Sequence, residues 1–379
     1  MTLLFYTIVD IIAIFSTFLA DRLSNVSLKI KCKKQIGSFF FKDINCGSLL
    51  YFFSGATLFL VLAVRNEVGV DYIRYAEVYL DTVNDNLNPS EQAWLGIGFI
   101  YFCKAVAVIA PSSYEFMFAV VAAITIYCFY KAIDLNSRNR SFSLLIFIST
   151  CLYYQCFNQA RQMMALSICA VAYYFLCHNK RIKFFLVTIL ASAIHNSALV
   201  ILILLLVRKW RVNFKNITLY CLIGLILCFE YDKLMLLLSV TQYGIVYVGS
   251  TSYDISFSTS SIINTIFRIT LLIFCLFFYK KTIERNPSVL VLYNAAIICT
   301  GIQIFTIKSY FIGRITTYFF LSYIFLLPEI FKTIIDYFVF KDRIIIVIMF
   351  LICLIMYHYL YYMGMAELAG YNVYRTIFN

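Results

Sequence analysis

Long, unbroken apolar runs separated by short polar segments dominate the chain. Runs at roughly 3–20, 47–64, 114–133, 142–157, 162–178, 217–230, 262–279, 288–306, 310–328 and 344–362 each predict a helix that crosses a bilayer, because a crossing takes about 20 apolar residues. Membrane β-strands would alternate apolar and polar positions; these runs do not. Two further apolar segments, 93–110 and 184–207, are ambiguous by pattern. The first run lacks a basic segment before it and ends at Asp21-Arg22 rather than at a small-residue cleavage site, so it reads as a first span and not as a cleaved signal. No internal repeat or low-complexity tract interrupts the pattern. The predicted class is an all-α polytopic integral membrane protein, a single domain over 1–379, with about 10–12 transmembrane helices and re-entrant or half-helix segments.

Composition narrows this further. Of 379 residues, 63% are hydrophobic and 13% charged, against about half and a quarter in soluble domains, which excludes a soluble enzyme and a disordered chain. The net charge of +12 comes from basic residues scattered between spans and not gathered on one face, so no nucleic-acid partner is expected. The 13 cysteines lie mostly inside apolar runs and form no C-x-x-C; they read as small core hydrophobes, with no metal site and no cofactor expected.

Charge sets the orientation. Segment 21–46 carries Arg22, Lys29, Lys31, Lys33, Lys34 and Lys42 and is expected on the cytoplasmic side. Segment 65–92 carries Glu67, Asp71, Glu77, Asp81, Asp85 and Glu91 against Arg65 and Arg74, and is expected to be the main external loop. The later basic loops, 131–140, 179–183, 208–215, 280–285 and 332–343, can all be cytoplasmic only if neither 93–110 nor 184–207 crosses. In that preferred reading 93–110 is re-entrant or interfacial, and 184–207 is a hairpin of two half-helices with His195-Asn196 at its tip. The alternative has 12 spans and leaves Arg138, Arg140, Lys180, Arg181 and Lys183 outside.

Ionisable groups in membrane segments cost about 2.5–3.5 kcal/mol each on insertion scales and so mark candidate sites. Arg161, His195, Arg268 and Arg314 all fall near the external face in the preferred topology. Arg65, Glu67, Asp71 and Arg74 from the loop, and Tyr374 and Arg375 from the tail, lie on the same side. Each has a plainer reading: arginines near helix ends snorkel to the headgroups, His195 suits a satisfied core histidine, and Arg65 and Arg74 suit partners for loop acids. Together, several guanidiniums at a low-dielectric boundary suit a phosphate or diphosphate. A nearby imidazole or carboxylate suits a general base for a hydroxyl, and Tyr72, Tyr75 and Tyr79 suit contact with sugar rings. That set fits metal-independent glycosyl transfer from a lipid diphosphate.

The motifs resemble a known family. Arg65-x-x-x-Gly69-x-Asp71-Tyr72-x-x-Tyr75 is similar to its first external motif, with Val70 where Thr or Met is more usual, and Glu91 opens the next block. Asn158-Gln159-x-Arg161-Gln162-x-x-Ala165, Ala191-x-x-x-His195-x-Ser197-Ala198, Gly313-Arg314-x-x-x-Tyr318-Phe319 running to Leu327-Pro328, and Tyr374-Arg375-Thr376 follow in order. The ordered set, from about residue 60 onward, resembles the EpsG-like polysaccharide polymerases, the Wzy-type group that includes O-antigen and exopolysaccharide polymerases. The resemblance implies a multi-pass protein of the bacterial inner membrane. It would join undecaprenyl-diphosphate-linked repeat units at the outer, periplasmic face, with a flippase and a chain-length regulator as partners. Carried onto this sequence, it makes His195 the first candidate base and Asp71 its competitor. Arg161 and Arg314 become the first diphosphate contacts, Arg65 and Arg268 the next. Glu67, Arg74, Tyr75, Gln162, Tyr318 and Arg375 complete the candidates. An O-antigen ligase sharing the same donor, a transporter or flippase of the lipid-linked oligosaccharide, and a purely structural role are the competing functions.

Overall fold

A computed structural model describes residues 1–33, 39–229, 259–305 and 310–378. It is built from helices and confirms the all-α polytopic class. Among the described residues seven helices are long and apolar enough to cross a membrane, or eight if one bent pair counts as a crossing. Helix α1 (Thr2–Arg22) is joined to α2 (Cys46–Ala63) by an antiparallel hairpin of β1 (Ser27–Lys33) and β2 (Phe39–Asn45). At 21 residues, α1 is about 31 Å long, enough for the hydrocarbon layer. Small residues let α1 and α2 approach: a Cβ on Gly47 would lie 2.6 Å from the Ala20 carbonyl. Thr17, Ser54 and the Tyr130 hydroxyl form a buried hydrogen-bonded chain between them and a third helix, as apolar-solvent helix contacts favour.

Segment 65–92 is largely helical and not an open loop. It holds α3 (Tyr72–Val83) and the start of α4 (Pro89–Leu95). Asn88 begins α4 with a capping box, its Oδ1 accepting from Glu91 N at 2.8 Å while Glu91 Oε2 accepts from Asn88 N at 3.2 Å, which satisfies two otherwise orphaned amides. After Gly96, α5 (Ile97–Ala107) runs for only 11 residues. Tyr79 Oη donates to the Ala110 carbonyl at 2.8 Å, and Lys104 pairs with Asp85 at 2.6 Å. The segment 93–110 therefore leaves and returns on the side of α3.

Helix α6 (Tyr114–Asn136) is capped by Ser113, and α7 (Arg140–Ser149) by Asn139. The predicted span 142–157 is not one helix. It breaks at Cys151, whose φ of +59° cannot continue a right-handed helix, and resumes as the single turn α8 (Leu152–Gln155) before α9 (Ala160–Cys177). The expected hairpin at 184–207 is present. Helix α10 (Arg181–Ile194) ends at an extended His195, and a 3₁₀ helix (Asn196–Ile203) and α11 (Leu204–Val207) return beside it. Both ends meet where Arg208 Nη1 donates to Asn179 Oδ1 at 2.8 Å.

The remaining described helices are α12 (Phe214–Phe229), α13 (Thr259–Phe277), α14 (Tyr279–Arg285), α15 (Leu290–Phe305), α16 (Tyr310–Tyr337) and α17 (Phe340–Met365). Helices α13 and α14 bend by 58°. The last residues of the expected spans 217–230 and 288–306 lie outside the described residues.

Contacts sort the bundle into two ends. At one, Arg140 binds Asp21 at 2.7 Å and Asp134 at 3.3 Å, and Glu329 takes Arg138 at 2.9 Å and Arg285 at 2.6 Å. These pairs bring together the last turns of α1 and α14, the turn after α6 and the second half of α16, and with them residues of three basic segments, 21–46, 131–140 and 280–285. At the other end the C-terminal tail closes over α1, α2 and α9. Tyr374 stacks on Phe5 at 4.7 Å and donates to the Val61 carbonyl at 2.9 Å, and Asn158 Nδ2 donates to the Ala369 carbonyl at 2.7 Å.

Candidate functional site

Four separate segments meet beneath α3 and α4 at the tail end of the bundle. The first is the loop into α3. Gly69 adopts φ +101°, accepts a close approach from the Phe157 carbonyl, and donates to the Gly370 carbonyl at 2.9 Å. This fixes Asp71 at the start of α3, where its backbone N–H donates to Asn158 Oδ1 at 3.4 Å. The second is the start of α9, which carries Arg161 and Gln162. The third is the break at His195. The fourth is the first part of α16, with Arg314 and Tyr318.

Arg161 is 5% exposed. Its Nη1 donates to the Trp94 carbonyl at 2.5 Å and to the Leu95 carbonyl, and its guanidinium lies 4.5 Å from the Trp94 ring centre. Gln162 Nε2 donates to the Arg314 carbonyl at 2.8 Å, pinning α9, which carries Arg161, to α16, which carries Arg314. Arg161 and Arg314 are together the charged neighbours of Asp71, of Tyr75 and of His195. Burial pushes the Asp71 carboxyl above the usual carboxylate range, and Arg314 and then Arg161 pull it part of the way back. Two guanidiniums, a carboxylate and an imidazole thus share one low-dielectric site, with a cationic surplus that an anion would neutralise.

His195 Nδ1 lies 3.3 Å from Ser197 Oγ, which donates to Tyr318 Oη at 3.0 Å. Backbone chemistry adds to the site, since the unsatisfied N–H groups at the start of α9 favour negative charge.

Other predicted residues lie elsewhere or are occupied. Arg65 is boxed by the rings of Phe118, Phe157 and Tyr72 at 5.0–5.8 Å and donates to the Leu62 and Cys156 carbonyls; it joins the α2 end to the turn after α8 and is not among the charged neighbours of Asp71 or His195. Arg268 lies deeper between helices, donating from Nε to Asn264 at 3.1 Å and from Nη1 to Cys299 at 3.4 Å and Thr316 at 2.5 Å. Arg74 is held by Glu91 at 2.6 Å and Glu77 at 3.4 Å, and Arg375 by Glu67 at 3.4 Å, all at the surface. Tyr72, Tyr75 and Tyr79 are buried in packing, so none offers a ring face to solvent. The half-buried aromatic at the site is Trp94, which sequence reasoning missed. The signal available was its position as one of only two tryptophans, three residues after Glu91. Ser197 was also missed as a participant, although it stands in the His195 motif.

The fold defines a polytopic membrane protein, and a family match supports the polysaccharide polymerase type. The chain belongs to the EpsG family, whose model matches residues 48–376. No curated protein and no solved structure matches it.

Proposed function

We propose that the protein is a membrane glycosyltransferase that joins undecaprenyl-diphosphate-linked repeat units at the outer face of the bacterial inner membrane, as O-antigen or as exopolysaccharide or capsule. The observation that carries the reading is the convergence of Asp71, Arg161, His195 and Arg314, from four distant segments, at one end of the bundle. The other end holds the ion pairs of the basic turns, and the positive-inside bias makes that end cytoplasmic. The cluster then faces outward, with 65–92 as its external cover.

In this reading the acceptor hydroxyl attacks the anomeric carbon of the donor glycan. The new C–O bond forms as the bond from that carbon to the diphosphate oxygen breaks, and the electron pair leaves with undecaprenyl diphosphate. Arg161 and Arg314 stand where negative charge grows on the leaving group, the placement that lowers a barrier most. His195, or Asp71 in competition, takes the hydroxyl proton. No step calls on a metal, since fixed guanidiniums supply the charge. The natural partners are the lipid-linked oligosaccharide, the bilayer, and the pathway's flippase and chain-length regulator. A transporter would need its charges near the midplane and open to both sides; this cluster sits at one end, which favours the enzyme. A ligase shares the donor chemistry and differs in its acceptor.

The test is Arg314→Ala and His195→Ala, each expressed in a deletion strain. Membrane levels are expected to hold while polymer shortens or disappears. Normal modal chain length in both variants removes these residues from the reaction.

A further inference from the structure

We propose that Ser197 and Tyr318 fix the tautomer of His195, keeping Nδ1 protonated and presenting Nε2 as the basic nitrogen. The proposal rests on the glycosyl-transfer reading but concerns two residues to which that reading gives no role. Ser197 Oγ donates to Tyr318 Oη at 3.0 Å and lies 3.3 Å from His195 Nδ1. A serine hydroxyl has one proton. With that proton committed to Tyr318, only lone pairs face the imidazole, so Nδ1 must be the donor. A neutral imidazole carries one N–H. Placed on Nδ1, it leaves Nε2 bare.

The geometry that enforces this is rigid. Tyr318 is fully buried, and its own carbonyl accepts from Tyr173 Oη at 3.0 Å, tying α16 to α9. Ala198 N donates to the His195 carbonyl at 3.0 Å, the tight turn that folds Ser197 back under the ring. When Nε2 takes the acceptor's proton, the hydroxyl O–H bond breaks and the imidazole becomes a cation. Its Nδ1–H to Ser197 bond then strengthens with no reversal of donor and acceptor. Ser197 and Tyr318 are therefore positioning residues, acting through His195.

The chain has three histidines, His178, His195 and His358, so ¹⁵N-histidine labelling of the full protein in nanodiscs resolves them. The His195 signal is assigned by its loss in His195→Gln. We expect the Nδ1–H tautomer in the wild type and in Ser197→Thr, and its loss in Ser197→Ala. Tyr318→Phe removes the acceptor, frees the serine proton for Nδ1 and is expected to shift the ring toward Nε2–H. Polymer synthesis should fall about 10- to 100-fold in Ser197→Ala, less than the about 10²–10⁴-fold that a general base itself contributes, and recover in Ser197→Thr. An Nε2–H tautomer in the wild type, or an unchanged tautomer in both Ser197→Ala and Tyr318→Phe, overturns the proposal even where polymer depends on His195. The expected tautomers combined with polymer that is indifferent to His195 would instead defeat the glycosyl-transfer reading and leave the hydrogen-bond assignment standing.

Discussion

Replacing Gly69 by alanine tests how the site is held. Gly69 has φ +101°, and a Cβ there would lie 2.3 Å from the Phe157 carbonyl oxygen and 2.8 Å from Asn158 Oδ1. Real Cβ contacts stay beyond 3.0 Å, so the loop and the turn that leads into α9 must part by at least 0.7 Å, the difference between 3.0 and 2.3 Å. The left-handed backbone costs an L-residue about 1–2 kcal/mol, and forcing a methyl into a packed contact costs about 1–3 kcal/mol. A loss of about 2–5 kcal/mol follows, or a displaced loop that relieves it. Either way Asn158, which binds both the Asp71 amide and the Ala369 carbonyl, moves relative to Asp71. A misplacement near 1 Å can cost about 10²-fold in rate. The assay is glycan ladder length in a complemented deletion strain, with thermal unfolding in detergent alongside. Gly301→Ala is the control, because nothing lies within 4 Å of its added Cβ; it should leave the ladder unchanged. A wild-type ladder together with a wild-type unfolding midpoint in Gly69→Ala would refute the reasoning.

Arg161→Lys keeps the charge but loses the planar fork; polymer formation should fall about 10²-fold, as when one preorganised donor is removed, and equal activity would place the diphosphate elsewhere. Because burial raises the Asp71 carboxyl, its proton returns at a higher pH than for an ordinary aspartate. Synthesis in spheroplasts should therefore fall as external pH drops through that raised value, and Asp71→Asn should abolish this acid limb; full polymer with Asp71→Asn would exclude it as an essential base. Glu329→Gln removes the carboxylate that takes the half-buried Arg285 at 2.6 Å, while Thr333, Asp336 and the Glu329 carbonyl still hold that guanidinium; the loss of a charge-assisted bond should cost about 1.5–3 kcal/mol. Little of that comes from Arg138, whose side chain is 58% exposed, and an unchanged midpoint in detergent would show the cluster adds nothing.

Much of the fold was legible because membrane helices announce themselves as long apolar runs, and placing every basic loop on one side, the preferred reading, has 93–110 and 184–207 turn back. The half-helix break at His195 was readable from polar residues inside an apolar segment. The break at Cys151 was not, because its left-handed backbone carries no Gly or Asn signal. The hairpin at 27–45 was overlooked, although Leu28 to Lys33 alternates apolar and basic residues, the period of a strand. For the site, residue type found the charges but not their company. Arg161 and Arg314 share neighbours because Gln162 docks α9 on α16, whereas Arg65 has the same charge and is enclosed by rings 91 positions from its Cys156 partner. Such pairings depend on helix rotation in the packed bundle, which no single sequence pattern encodes. Tyr72, Tyr75 and Tyr79 look like a sugar platform in sequence, yet the burial of α3 turns them inward.

The most direct test of the central claim is deletion of the gene, with surface glycan separated by size on a gel. Polymerisation by this protein predicts loss of the ladder with a retained single-repeat band, restored by the wild-type chain and not by His195→Ala. An unchanged ladder would contradict the account, and so would loss of all acceptor-linked glycan with polymer accumulating on the lipid carrier, the result expected of a ligase.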